Sequence, residues 1–203
     1  APLLKTGWVD LGSIISDSKS GVSGAGRKPS LTTHYTEVNE GISPYGLGSH
    51  RHTPEMEQEL SVLAGKPVRM TFSPHLVPMT RGMLSTVYIN LNKAISDEKL
   101  VEHYRHFYKK EYFIRVLNAD NFASSHHVLY SNFCDIGLKV DSRNQRLIIT
   151  SALDNLTEKA VMDSVKNLKG DITKIIIAHR LSTLDDCNII YELLNKQLKK
   201  IDI

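Results

Sequence analysis

The chain has 203 residues, with 25 Lys and Arg against 22 Asp and Glu, and 41% of its residues are apolar. This composition is typical of a globular protein and excludes a largely disordered chain. The formal net charge of +3 comes without a long basic block, and no apolar run approaches the ~18 residues that span a bilayer. We therefore expect no nucleic-acid partner, no membrane and a cytoplasmic location.

A helix remnant, a strand and a loop are predicted first. Residues 1–6 predict the last turn of a helix, which Gly7 ends, and residues 13–16 predict a short strand. The stretch 18–27 is so rich in Gly and Ser that it predicts a loop.

The middle of the chain predicts a mixed α+β fold. A hydroxyl, a proline and an acid at 53–55 favour a helix start with Thr53 as its cap, and Gly65 predicts the helix end. A second helix is predicted from Ser96, where apolar residues recur at helical spacing. The predicted strands are 68–72, 83–91, 113–117, 133–140 and 146–149.

The pattern changes near residue 155, and we predict two units, 1–155 and 156–203. In the second unit we predict a helix at 157–168, a strand at 172–178, a helical turn at 182–187 and a strand at 188–193. This alternation favours a short appendage of parallel α/β structure, and the polar ending 196–200 predicts a solvated face.

The loop after the first strand is a candidate anion site. Its small residues would leave consecutive backbone N–H groups available, and Lys19, Arg27 and Lys28 flank it. It is not a dinucleotide fingerprint, because Pro29 interrupts any following helix. A flexible surface loop is the alternative, and the sequence alone leaves both open.

Two histidines are the strongest candidates for chemistry. His50 and His52 flank Arg51 directly before a predicted helix, whose positive end would lower the proton affinity of an imidazole and suit acid/base chemistry near neutral pH. A metal site and a structural role are the rivals. Because no third ligand stands at a recognisable spacing, we predict no metal.

The two cysteines are interpreted as packing residues. Cys134 and Cys187 each follow or precede an aspartate, and a neighbouring carboxylate disfavours the thiolate. One pair could form at most one bridge, which is too little to frame a fold of this size.

Several ordered motifs in residues 1 to about 155 carry a family resemblance. They are SGVSGAGRKPS at 20–30, YGLGSHRHTPE at 45–55, PHLVPMTRGMLST at 74–86, SNFCDIG at 131–137 and SALDNL at 151–156. They resemble the carboxyl-terminal half of the N-acetyl-gamma-glutamyl-phosphate reductase family of arginine biosynthesis. The resemblance implies a substrate and dimerisation domain in a homo-oligomer. Its implied fold is a mixed, largely antiparallel sheet with helices on one face, like the C-terminal domain of glyceraldehyde phosphate dehydrogenase.

The resemblance also implies a reaction and its residues. The family reduces N-acetyl-glutamyl phosphate to the semialdehyde with NADPH, through a cysteine thioester. By motif position His52 is the implied acid/base, and Tyr45, His50 and Arg51 are its implied substrate-binding neighbours. The positions implied to lie near NADP are Ser20, Gly21, Ser23, Gly24, Ala25, Gly26 and Asn155.

Two departures from the family shape the expectation. The family's Rossmann half and nucleophilic cysteine have no counterpart here, so we expect the chain alone not to turn over and a separate half to be a potential partner. After SALDNL the sequence resembles the end of an ABC transporter ATPase domain, with His179 at the position of its switch histidine. No phosphate loop accompanies it, so ATPase activity is not implied. A non-catalytic dimerisation or interaction module, or a mosaic fragment whose tail binds nucleotide, remains the alternative.

Overall fold

The computed structural model describes residues 1–25, 30–154, 190–194 and 197–201. The chain divides into two compact units, Ala1–Asn155 and Leu156–Ile203.

The first unit is built on a seven-stranded sheet. Its strands are β1 (Ile14–Ser20), β2 (Ser43–Pro44), β3 (Met70–Leu76), β4 (Met83–Asn90), β5 (Ile114–Val116), β6 (Cys134–Asp141) and β7 (Arg146–Leu153). They lie in the order β2-β3-β1-β4-β7-β6-β5. Only β1 with β3 and β5 with β6 run parallel, and the remaining pairs are antiparallel. The expected mixed, largely antiparallel sheet is therefore confirmed.

Two longer helices cover one face of this sheet. The helices of the unit are α1 (Tyr35–Val38), α2 (Thr53–Ala64) and α3 (Asp97–Phe107). Leu100 of α3 packs with Leu138 and Leu147 of the sheet, and all three are almost completely buried. Leu60 of α2 packs against the same cluster. The helices therefore share one face, as expected, and the core lies between them and the inward residues of the strands.

The helix ends follow from local chemistry. The Ser96 side chain accepts a hydrogen bond from the Lys99 N–H at 3.3 Å and caps α3. Gly65 ends α2 in the left-handed conformation, with φ of 71°. The start of α2 corrects the prediction by one residue, because His52 rather than Thr53 occupies the cap position.

The predicted loop at 18–27 is wrong at its beginning. β1 continues to Ser20, well past the predicted end at residue 16. The serines of this strand point inward and are buried, and the Ser18 hydroxyl lies 2.7 Å from the Ser85 hydroxyl of β4. Small hydroxyl residues are stable here because they satisfy one another across the sheet, which a count of loop-forming residues does not reveal. Beyond the strand, Val22–Ala25 form a short 3-10 helix.

The second unit is described through one hairpin. β8 (Ile190–Leu194) pairs with β9 (Gln197–Ile201) in antiparallel orientation. The strand predicted at 188–193 overlaps β8, whereas the ending predicted as a solvated face is largely β9. The parallel pairing predicted for this unit is not seen in this described pair. The elements predicted at 157–168, 172–178 and 182–187, and His179, lie outside the described residues. Among the described helices, none has the length and apolar character to cross a membrane.

Candidate active site

The loop between β2 and α2 gathers aromatic and imidazole rings. The His50 ring centroid lies 5.5 Å from that of Tyr45, 5.0 Å from that of His52 and 5.0 Å from that of Phe72. The Tyr45 N–H donates to the Pro74 carbonyl at 3.1 Å, which fixes the start of this loop against β3. The structure therefore brings together Tyr45, His50 and His52, the residues that the sequence selected for chemistry.

Gly46 allows the tight turn in the loop between β2 and α2. Gly46 has φ of 57°, a conformation that disfavours residues with a Cβ. The Ser49 N–H then donates to the Gly46 carbonyl at 3.1 Å and closes a turn. The chain leaves that turn at His50, so the histidines stand directly before the helix.

His50 is held as a neutral ring. Its Nδ1 accepts a hydrogen bond from the His52 backbone N–H at 3.3 Å, which requires that nitrogen to carry no proton. Burial lowers the pKa of His50, and the neighbouring charges of His52 and Arg51 lower it further. Near neutral pH, His50 therefore orients the loop and has little capacity to donate a proton.

His52 has the exposure that a proton donor requires. Its side chain is exposed at the cap position of α2, and within the described parts of the chain its ring makes no hydrogen bond. The positive end of the helix dipole favours negative charge that develops beside it. An oxyanion formed next to His52 would therefore meet both a titratable ring and a favourable helix end.

Tyr45 lies across β3 from the end of β1. Burial raises the pKa of its hydroxyl, and the effect of the Ser20 side chain opposes that shift. Ser20 is the last residue of β1 and the first residue that the family resemblance places near the cofactor. It pairs with Leu76 of β3, two residues beyond the Pro74 carbonyl that accepts the Tyr45 N–H.

The glycine-rich turn does not offer the N–H groups that we expected for an anion. The Gly21, Val22 and Ser23 N–H groups donate to the carbonyls of Gly82, Met79 and Thr80 at 2.9, 2.9 and 3.1 Å, and the Gly24 N–H donates to the Gly21 carbonyl at 3.1 Å. A Cβ placed on Gly21 would lie 2.8 Å from Arg81 backbone atoms. The small residues of this turn therefore serve close backbone packing, and the expectation of a free N–H cradle at 21–24 is wrong.

The remaining predicted site residues differ in how far they are described. Ala25 ends the short 3-10 helix. Gly26, Arg27, Lys28 and Asn155 lie outside the described residues.

Within the described residues, the structure does not support a metal site at His50 and His52. Within residues 1–25 and 30–154 no group of three or more His, Cys, Asp or Glu side chains is arranged to hold an ion. Two imidazoles in edge-to-face contact leave most of a coordination sphere to be filled.

Cys134 is consistent with a packing role. Its Sγ lies 3.4 Å from the Ser151 hydroxyl, and the side chain packs against the main core. Cys187 lies outside the described residues.

A cavity of about 430 Å³ adjoins the histidine loop, and sequence reasoning missed most of it. Arg51 and His50 were predicted to bind substrate, and both line this cavity. Its other wall contains Arg69 and Phe72 of the β3 region, together with Glu57 of α2. Only the pairing of strands could have revealed these residues, because they become neighbours of His50 through the position of β3 in the sheet.

Comparison with known proteins identifies the first unit. Residues 1–155 match the family model described as semialdehyde dehydrogenase, dimerisation domain. The chain is 55% identical over 168 residues to the N-acetyl-gamma-glutamyl-phosphate reductase of Geobacter metallireducens, a match that covers 82% of this chain and 49% of the relative. It is 52% identical over 167 residues to the same-named protein of Thermoanaerobacter sp., covering 82% and 48%. The chain thus spans about half the length of these curated relatives.

Solved structures show the same fold at low identity. An aspartate semialdehyde dehydrogenase II from Vibrio cholerae superimposes with a TM-score of 0.57 at 15% identity, covering 78% of this chain and 54% of that one. A probable aspartate-semialdehyde dehydrogenase from Pseudomonas aeruginosa gives 0.59 at 13% identity, covering 76% and 52%. At these identities the likeness establishes the architecture alone.

Proposed function

The chain belongs to the semialdehyde dehydrogenase dimerisation-domain family, and we propose that it supplies the acid/base and substrate-binding half of an N-acetyl-gamma-glutamyl-phosphate reductase. Its substrate is then N-acetyl-glutamyl phosphate, and its product is the semialdehyde. The thiol nucleophile and the Rossmann half of the complete enzyme correspond to the part of the curated relatives that this chain does not match.

One observation carries this proposal. Ser20 and the ring cluster of Tyr45, His50 and His52 come from two separated stretches of sequence, yet both adjoin the end of β3. Ser20 pairs with Leu76 of β3, and the Tyr45 N–H donates to the Pro74 carbonyl. Both stretches belong to motifs that resemble the reductase family.

The step assigned to this chain is a proton transfer. Reduction of an acyl carbon leaves a negative charge on its oxygen, and the protonated His52 ring donates its N–H proton to that oxygen. The ring is then neutral and takes up a proton from water before the next cycle. His50 keeps the loop in place through its Nδ1, while the amino end of α2 stabilises the charge before the proton arrives.

NADP is the proposed cofactor of the complete enzyme. The backbone N–H groups from Gly21 to Gly24 are all engaged in backbone hydrogen bonds, so they are not available to its phosphates. The proposed contacts of Ser20, Ser23 and Asn155 with the cofactor are therefore made by their side chains.

A homo-oligomer in the cytoplasm completes the proposal. The helices cover one face of the sheet, and the opposite face carries residues such as Ile15, which is 38% exposed. The family description names a dimerisation domain, and we assign this uncovered face to the contact with a second copy of the chain.

Reconstitution tests the proposal. The full chain is mixed with the amino-terminal half of a curated relative, which carries the cysteine, and NADPH consumption with N-acetyl-glutamyl phosphate is recorded. We expect turnover that His52→Ala lowers by roughly 10²–10⁴-fold. The matched control, His106→Ala on the exposed side of α3, keeps full activity. Association of the halves without turnover would instead support a non-catalytic interaction module.

A further inference from the structure

The cavity beside the histidine loop lies at an open edge of the sheet. β2 pairs with β3 only at Leu76 and His75, so from Met70 to Ser73 no described strand pairs with this edge. The cavity occupies that gap, between the loop that ends at Arg51, the first turns of α2 and the beginning of β3. It has a volume of about 430 Å³, enough for a ligand of amino-acid size.

The charge of the cavity is positive. Arg51 and Arg69 both line it, both are exposed, and within the described parts of the chain neither guanidinium makes a hydrogen bond. The carboxylate that lines the same cavity is Glu57, whose Oε1 accepts the Met70 N–H at 3.1 Å. Guanidinium groups pair with carboxylates through two parallel hydrogen bonds, so this arrangement is suited to a carboxylate ligand.

The backbone of β3 adds an amide-binding edge. The Met70 N–H points to Glu57, and the Pro74 carbonyl accepts the Tyr45 N–H, so both groups face away from β1. Backbone groups of a strand alternate in direction with a period of two residues. Phe72 lies midway, and its N–H and carbonyl therefore face the cavity.

The cavity adjoins the proposed proton donor, His52, through His50. His50 forms part of its wall, and the His50 ring lies 5.0 Å from that of His52. In N-acetyl-glutamyl phosphate the reacting acyl carbon and the α-carboxylate carbon are four bonds apart, or about 5 Å in an extended chain. A substrate whose acyl group lies beside His52 can therefore extend past His50 into the cavity.

We propose that this cavity binds the amino-acid end of the substrate, with Arg69 and Arg51 on the α-carboxylate and the Phe72 backbone on the acetamido group. The inference rests on the proposed reductase function and assigns the substrate specificity of that site. It makes Arg69 a specificity-determining residue, which discriminates substrates that carry an α-carboxylate from those that do not.

Calorimetric titration of the full chain tests this assignment with two matched ligands. N-acetylglutamate carries the α-carboxylate, and 4-acetamidobutyrate is the same molecule without it. We expect Arg69→Gln to weaken the binding of N-acetylglutamate at least about tenfold and to leave that of 4-acetamidobutyrate unchanged. The control is Arg143→Gln, because the Arg143 side chain is 90% exposed on the β6–β7 turn, away from the cavity. It should bind both ligands like the parent chain.

The outcomes separate this inference from the proposed function. Equal binding of N-acetylglutamate by the parent chain and Arg69→Gln, or no binding by the parent chain, overturns the carboxylate site. The reconstituted turnover and its dependence on His52 are measured independently and can survive that result. Conversely, the expected binding pattern without turnover supports the site and rejects the reductase reaction.

Discussion

Replacing Gly21 by alanine tests whether the glycine-rich turn exists for close packing. A Cβ at this position would lie 2.8 Å from the N and C atoms of Arg81 and 2.9 Å from its Cα. These are backbone atoms, so no side-chain rotation can relieve the contact. The two backbones would have to separate by about half an ångström to reach ordinary van der Waals distance.

The cost follows from what holds these backbones together. Separation stretches the hydrogen bonds of Gly21, Val22 and Ser23 to the 79–82 segment, now 2.9 to 3.1 Å long. Each contributes ~0.5–1.5 kcal/mol net, and overpacking without separation costs ~1–3 kcal/mol. Because the molecule takes the cheaper response, we expect the free energy of unfolding to fall by ~1–3 kcal/mol.

Urea denaturation of the full chain measures this loss. The matched control is Gly12→Ala, since a Cβ on Gly12 would meet only the Asp10 carboxylate at 3.4 Å. We expect the control to be neutral or stabilising by up to ~1 kcal/mol. Amide hydrogen exchange at Val22 and Ser23 should also accelerate in Gly21→Ala. A stability equal to that of the control, with unchanged exchange, would refute the packing role of this turn.

Three further results are expected. Leu147→Ala should lower the free energy of unfolding, measured by urea denaturation, by ~2–5 kcal/mol because Leu147 is fully buried. The control Val62→Ala, on the exposed side of α2, should change the free energy of unfolding by less than ~0.5 kcal/mol. Equal effects of the two substitutions would contradict the core assignment. Arg115→Ala should lower the free energy of unfolding by ~1–3 kcal/mol, because the buried Asp135 carboxylate loses a guanidinium that lies 3.0 Å away. If Arg143→Ala lowered the free energy of unfolding as much, the Arg115–Asp135 pair would not contribute to stability. In an NMR titration His50 should have a pKa below 6.5, and Arg51→Gln should raise it, since removing a positive neighbour favours the protonated ring; an unchanged pKa would place Arg51 away from His50.

The long periodic elements could be predicted from the sequence because local rules and packing agree there. Ser96 caps α3 through its own side chain, and Gly65 ends α2 in a conformation that glycine favours. Runs of residues that favour strands likewise located β4 and β6. In these segments the conformation that the local sequence favours is the one that the tertiary structure requires.

The extent of β1 could not be predicted in the same way. Ser16, Ser18 and Ser20 are typical of loops, and their burial becomes favourable only because their hydroxyls have partners, such as Ser85 for Ser18 and the Gly21 carbonyl for Ser20. The anion site predicted at the glycine-rich turn was wrong for a related reason. The N–H groups of Gly21, Val22 and Ser23 donate to carbonyls of the 79–82 segment, some sixty residues later in the chain. Long-range partners decide both cases, and no local pattern encodes them.

The candidate site shows the same division. Motifs selected Tyr45, His50, Arg51 and His52, and the structure brings their rings and the loop together. Arg69 escaped notice because a basic residue before a strand is unremarkable until that strand is known to lie at an open sheet edge. Residue chemistry can be read from the sequence, whereas the shape of the cavity depends on strand order.

The most direct test of the account is an NMR titration of the full chain with N-acetylglutamate. If one ligand lies across the site, the His52 ring and the amides of Arg69 and Phe72 should shift together and yield the same dissociation constant. The ring of His106 should not respond. Shifts at only one of these two places, or two different dissociation constants, would mean that the imidazole and the cavity beside β3 do not serve a common ligand.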